Sequence, residues 1–250
     1  MNTSTLPASA AIAATASPGD APAVSRALGV LLIVEALLSF APLAILGPAI
    51  GWPASLGNPA AQQLAAIGAK PEAVAFGYGV YLLYSILIAP AMIFLAARVL
   101  GGLHRPLAAT VAAFAALSAL ARAIGILRWL TVMPALTAAH AGGDAAARLQ
   151  IEALFNAVTA YGGGIGELLG VSLFMAAAVG ALSAGALARG GMPRPLAALG
   201  LLVSLMLAAL GARAFGLPDV MPVAAAVTSL SVWMIAVGVW ALRTPRSALG

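Results

Sequence analysis

The chain has 250 residues, 63% of them hydrophobic and 8% charged. Soluble domains carry roughly 25% charged residues, so lipid must be the solvent for most of this surface and a soluble fold is excluded. The formal charge of +5, from 12 basic and 7 acidic residues, is dispersed over short loops between apolar runs. That is the pattern of topology signals rather than of a nucleic-acid surface. Cysteine is absent, which removes disulfides, thiolate metal sites and cysteine nucleophiles. The fold class predicted is all-α, a polytopic transmembrane bundle of about six spanning helices.

Residues 1–24 are rich in Ala, Ser, Thr and Pro. With no basic n-region and no long apolar h-region they do not read as a signal peptide, and a disordered tail is expected over 1–23. A spanning helix needs about 20 mostly apolar residues to cross ~30 Å of hydrocarbon. Six windows qualify within a transmembrane domain at 24–243: residues 26–46, 74–100, one starting at 106, one ending near 188, 195–215 and 221–242. A short tail, 244–250, follows. Between the first two windows, Asn58 before Pro59 reads as an N-cap with proline at the first helical position. It predicts a short amphipathic helix over 60–67 in the membrane interface. Pro42 and Pro90 predict kinks in the first two spans.

The middle of the chain is too long for one bilayer. Helical pattern runs from 106 to about 139, turns at 140–144 and resumes to about 188, pieces of roughly 50 and 65 Å. Helices three and four therefore either extend beyond the bilayer as an αα-hairpin with Asp144 capping the second, or break at Pro134 and at Gly162, Gly163 and Gly164 into interfacial segments. Basic residues set the orientation. With the N-terminus cytoplasmic, Arg26, Arg98, Arg105, Arg189, Arg194, Arg243 and Arg246 fall inside. Lys70, Arg148 and Arg213 fall outside. Both termini are accordingly expected in the cytoplasm, with the chain in the inner membrane.

Charges at the bilayer centre cost at least about 2.5–3.5 kcal/mol each and mark sites worth testing. Glu35 falls near the middle of helix one, Arg122 near the middle of helix three, Arg128 further outward and Glu167 mid-membrane or slightly outward. Two acids against two arginines sum to zero. They form either a salt-bridge network that fixes helix register or the lining of a site for a small polar or amphipathic solute. On helix four, Glu152, Asn156, Gly163 and Glu167 fall within about 60° of one another at an α-helical 100° per residue. On helix two, Tyr78, Tyr81 and Ser85 share a face, placing hydroxyls within reach of the carboxylates.

Gly162, Gly166 and Gly170 form a tandem G-x-x-x-G run, a spacing that lets helix backbones approach closely. Ala112, Ala116 and Ala119 are the expected facing surface. His104 and His140, the two histidines, fall at opposite membrane ends and cannot share a haem or metal. No cofactor, metal or catalytic residue is expected. An enzyme would have to work with Glu35 or Glu167 as acid or base, and the residue types lean against one. The partners expected are the lipid bilayer and a ligand of unspecified identity, with no nucleic acid; a second copy of the chain or another membrane protein stays open. The solute-binding reading competes with that of an accessory subunit docking through the glycine face.

The most individual stretch is Arg122-Ala123-Ile124-Gly125-Ile126-Leu127-Arg128-Trp129, continuing to Pro134-Ala135-Leu136. Together with the Glu-bearing first helix and GGGIGELLG in the fourth, it resembles the bacterial membrane-protein family catalogued as domain of unknown function 4386. The resemblance covers roughly residues 24–216 and implies fold and location without an activity. In that family the helix-three arginine is often followed three residues later by a carboxylate. Here Gly125 holds the position, so Glu35 or Glu167 would have to partner Arg122 from another helix.

Overall fold

A computed structural model describes residues 20–244 except Asp219, with side chains from residue 25. The tail expected at 1–23 lies largely outside the described residues, as do 245–250; helix α1 starts at Asp20, inside the segment expected to be tail. Every regular element among the described residues is helical. Five helical stretches are long and apolar enough to span a bilayer: Ser25–Ile50, Pro71–Leu100, Pro106–Gly142, Ala145–Arg189 and Val223–Arg243. A sixth apolar helix, Arg194–Ala209, has 16 residues, about 24 Å. It stops short of the expected 215 because the chain turns at Gly211 into a 3₁₀ turn, Ala212–Phe215.

Local chemistry explains the breaks. The first stretch divides into α1 (Asp20–Leu38) and α2 (Ala41–Ile50). Pro42 supplies no N–H and its ring clashes with the carbonyl of Leu38, four residues back. Ser39 Oγ donates instead to the Ala36 carbonyl at 2.6 Å and bonds Ser231 Oγ at 2.9 Å. The short helix α3 (Ala60–Ala69) is present, but Pro59 rather than Asn58 holds its N-cap, without a side-chain cap bond. Gln63 Nε2 donates to the Asn58 carbonyl at 2.7 Å, so that segment is tied down from within the helix.

Helices α4 (Pro71–Leu100) and α5 (Pro106–Gly142) run through Pro90 and Pro134 without interruption. Asp144 caps α6 (Ala145–Gly163) by accepting from the Ala147 N–H at 2.9 Å. Glycines 162–164 do not end the helix; they open a π-helical segment, Gly164–Met175, which returns to α-geometry as α7 (Ala176–Arg189). Helices α8 (Arg194–Ala209) and α9 (Val223–Arg243) complete the chain. At ~1.5 Å per residue the 37-residue α5 is about 56 Å long, so α5 and α6 extend past a ~30 Å bilayer as a hairpin rather than breaking.

Two packed cores result. The larger joins α1, α4, α5, α7, α8 and α9 around Leu32, Met92, Val111, Leu182, Trp233 and Val237. In it α1 and α9 nearly touch: a Cβ on Gly29 would sit 2.8 Å from the Gly238 carbonyl oxygen. In lipid this packing is sustained by van der Waals contact rather than by the hydrophobic effect. Large apolar side chains such as Val34, Leu37, Leu83, Phe94, Leu120 and Leu205 are exposed around it, as a lipid-facing surface requires. The smaller core lies at the hairpin end, where α3 packs under α5 and α6 through Leu64, Ile67, Tyr78, Trp129, Met133 and Phe155.

Candidate functional site: a charged cavity between the two cores

Helix α5 threads both cores, and its arginines sit where they meet. Counted from Pro106, Arg122 lies about 24 Å and Arg128 about 33 Å along the helix, both toward the hairpin end of a ~30 Å bilayer. Opposite them the π-helical segment crosses α5 at unusually short range. A Cβ on Gly125 would lie 2.8 Å from the Gly162 oxygen and 2.8 Å from Gly166 Cα. One on Gly162 would meet Arg128 Cδ at 2.6 Å, and one on Gly170 would meet Arg122 Cγ at 2.6 Å. Ser118 Oγ locks the crossing by donating to the Gly170 carbonyl at 2.7 Å.

The tandem glycine face is thus used within the chain, against Ser118, Arg122, Gly125 and Arg128. The alanines expected to face it do not: Ala116 is exposed and Ala112 half-buried, and Ala119 packs in the larger core. Alanine spacing suggested a smooth surface, but a Cβ at the crossing is already too large, so glycine occupies it. That need also accounts for Gly125 standing three residues after Arg122.

Between these elements lies a cavity of ≈ 60 Å³. Arg122, Arg128, Glu167, Tyr78 and Tyr81 line it, as do Gly162, Gly163 and Gly166. Trp52 and Leu56, from the turn after α2, and Trp129 complete its wall. Arg122 is buried, 5% exposed, with its guanidinium 4.4 Å from the Tyr84 ring centroid, a cation–π arrangement that partly replaces lost water. Arg128 donates from Nη1 to the Gly125 carbonyl at 2.5 Å and lies 5.2 Å from the Trp129 ring. Tyr78 stacks on Trp129 with centroids 4.7 Å apart. Glu167 is exposed at the protein surface, and Arg213 as well as Arg128 acts on it electrostatically.

Several polar atoms in this wall lack partners. Tyr78 Oη, Arg122 Nε and Arg128 Nε are buried without a hydrogen bond, at a cost of about 1–3 kcal/mol for each such group. No ion pair within 4.0 Å joins Glu35 or Glu167 to Arg122 or Arg128. The two arginines and Glu167 leave the lining with one uncompensated positive charge.

The remaining predicted residues lie elsewhere. Glu35 is fully buried, does not line the cavity and has both carboxylate oxygens unpartnered; Arg122 is the cation whose field reaches it. Ser85 is buried with its hydroxyl unpartnered, likewise outside the lining. Glu152 bonds His140 at 3.0 Å near the hairpin tip, and Asn156 is exposed. The stripe keeps its α-helical period through Glu152, Asn156 and Gly163, all in α6, and loses it only in the π-helical segment that carries Glu167. Asn156 also stands about 10 Å along the axis from Gly163. Reasoning from sequence passed over Trp52, Leu56 and Tyr84; Tyr84 continues the i, i+3 spacing of Tyr78 and Tyr81, which was a usable signal.

Comparison with curated proteins and with solved structures returns no match to either. Residues 27–243, nearly the whole helical body, match the family described as Domain of unknown function (DUF4386). The match extends past the 24–216 resemblance to include α9. This multi-pass membrane protein belongs to the DUF4386 family.

Proposed function

We propose that the protein binds a small polar or amphipathic solute in the cavity between its two cores, or moves it through the bundle there. The observation that carries this reading is the set of unpartnered polar atoms in the cavity wall, Tyr78 Oη, Arg122 Nε and Arg128 Nε. A purely structural ion-pair network would spend those groups on Glu35 and Glu167, yet no such pair forms. The excess positive charge of the lining favours an anionic group on the solute. With both termini in the cytoplasm of an inner-membrane protein, as the basic loops favour, the cavity serves the outer face. The docking role considered for the glycine face loses its surface, because α5 already covers it.

The test is co-purification. The chain is extracted with native lipid, and bound small molecules are released and identified by mass spectrometry, in parallel with Arg128→Gln and Glu167→Gln. The reading requires a stoichiometric molecule in the wild type that is lost from Arg128→Gln while insertion and monodispersity are retained. Equal recovery from all three proteins refutes it.

A further inference from the structure

A second hollow adjoins the charged cavity. It measures ≈ 320 Å³ and lies between the α3–α4 corner and the far half of α5, lined by Ile67, Val74, Trp129, Leu130, Pro134 and Ala138 among others. Trp129 is a wall of both spaces. The charged cavity alone, at ≈ 60 Å³, is small against the roughly 300–1,000 Å³ of ordinary ligand pockets. The second space reaches that range.

The lining of the second hollow is hydrocarbon apart from the indole N–H of Trp129 and the Thr137 hydroxyl, which is buried without a partner. Its position makes that composition informative. Leu130 lies about 36 Å along α5 from Pro106, beyond a ~30 Å hydrocarbon slab. With the hydrocarbon slab starting at Pro106, bilayer tails do not reach it, and an apolar wall facing water is unfavourable. An occupant with its own hydrocarbon chain resolves this. The charged cavity next door supplies a place for the other end of the same molecule.

Building on the ligand reading above, we propose that the site takes an anionic amphiphile: a carboxylate or phosphate head at Arg122 and Arg128, and a hydrocarbon chain in the hollow beyond Trp129. Guanidinium groups suit either oxyanion through planar, paired hydrogen bonds. Trp129, the wall common to both spaces, would lie between head and chain.

The experiment uses the full chain in nanodiscs and an alkyl phosphate carrying a diazirine at its chain terminus. Crosslinks are expected to concentrate at residues 67–75 and 130–141. Dodecyl phosphate or laurate should compete, and dodecanol, dodecyltrimethylammonium and equimolar inorganic phosphate should not. Competition by only one of the two anionic amphiphiles assigns the head as phosphate or carboxylate. Ala138→Trp, with Ala75→Phe as a second filler should the first fail to fold, should cut labelling at least tenfold, and Arg128→Gln should do the same. Crosslinks scattered over lipid-facing residues, unchanged labelling in a folded filler variant, or full competition by inorganic phosphate overturns the chain assignment. The cavity reading then still stands on the co-purification result. Labelling indifferent to Arg128→Gln overturns the head assignment.

Discussion

Gly125→Ala should weaken the fold more than Gly166→Ala in the tandem G-x-x-x-G run facing it. The added methyl would lie 2.8 Å from both the Gly162 oxygen and Gly166 Cα, and 3.1 Å from the Gly166 nitrogen. All three are backbone atoms, so no side chain can swing aside. Carbon contacts are optimal at ~3.5–4.0 Å, and α5 must therefore part from the π-helical segment by about 1 Å. Overpacking of this kind costs about 1–3 kcal/mol, offset by up to about 1 kcal/mol of helix propensity. A net loss of up to about 2–3 kcal/mol is expected. Gly164→Ala is the control: nothing lies within 4 Å of its Cβ position and its backbone is already helical, so a gain of up to about 1 kcal/mol is expected. Gly166→Ala, whose nearest neighbour would be Gly125 Cα at 3.4 Å, should fall between them. Reversible unfolding in mixed micelles of rising SDS fraction reads all three. A Gly125→Ala protein as stable as wild type, or less affected than Gly166→Ala, would refute the close crossing.

Two further outcomes follow from the charges. Arg122→Gln removes a buried guanidinium that packs over the Tyr84 ring and whose field also reaches Glu35. It should destabilise, and Glu35→Gln in the same chain should restore part of the loss. A double-mutant cycle is expected to give a coupling of about 0.5–3 kcal/mol, and additive losses would show that the two groups do not sense each other. His140→Ala or Glu152→Gln, by contrast, breaks a partly exposed pair near the hairpin tip. Each should change the same unfolding free energy by no more than about 1 kcal/mol; a larger loss would mean that the tip contributes more to the fold than its exposure implies.

Hydropathy made the helical body legible because lipid imposes one rule on every span: apolar side chains outside and backbone bonds satisfied within. The over-long third and fourth helices were equally plain, since their length is a count of residues without a breaker. Pro134 and Gly162 to Gly164 looked like breakers and are not. Proline is tolerated in membrane helices; Gly162 is a contact point against Arg128, and at Gly164 the helix passes from α- to π-geometry without ending. The glycine run announced a close crossing, but its partner was hidden. Gly125 carries no side chain to signal a role, and alanines nearby matched the expected spacing better.

The site was legible in part. Arg122, Arg128, Glu167, Tyr78 and Tyr81 could be drawn together because polar groups in a span have few places to go. Glu35 shares their charge logic without lining their cavity, a difference of depth that counting residues along separate helices resolves poorly. Trp52 and Leu56 come from a turn whose fold depends on α2 and α3 together, and no periodicity reaches them.

The native absence of cysteine makes single-cysteine labelling the most direct test of the central claim, a charged cavity that serves the outer face. Gly163 lines that cavity, and its Cβ position has only Arg128 Nη2, at 3.9 Å, as a neighbour. In intact cells Gly163→Cys should react with a membrane-impermeant maleimide added from outside, whereas Ser183→Cys, buried within the larger core, should not. A Gly163→Cys protein that stays unlabelled in intact cells and in inverted vesicles alike would contradict the account.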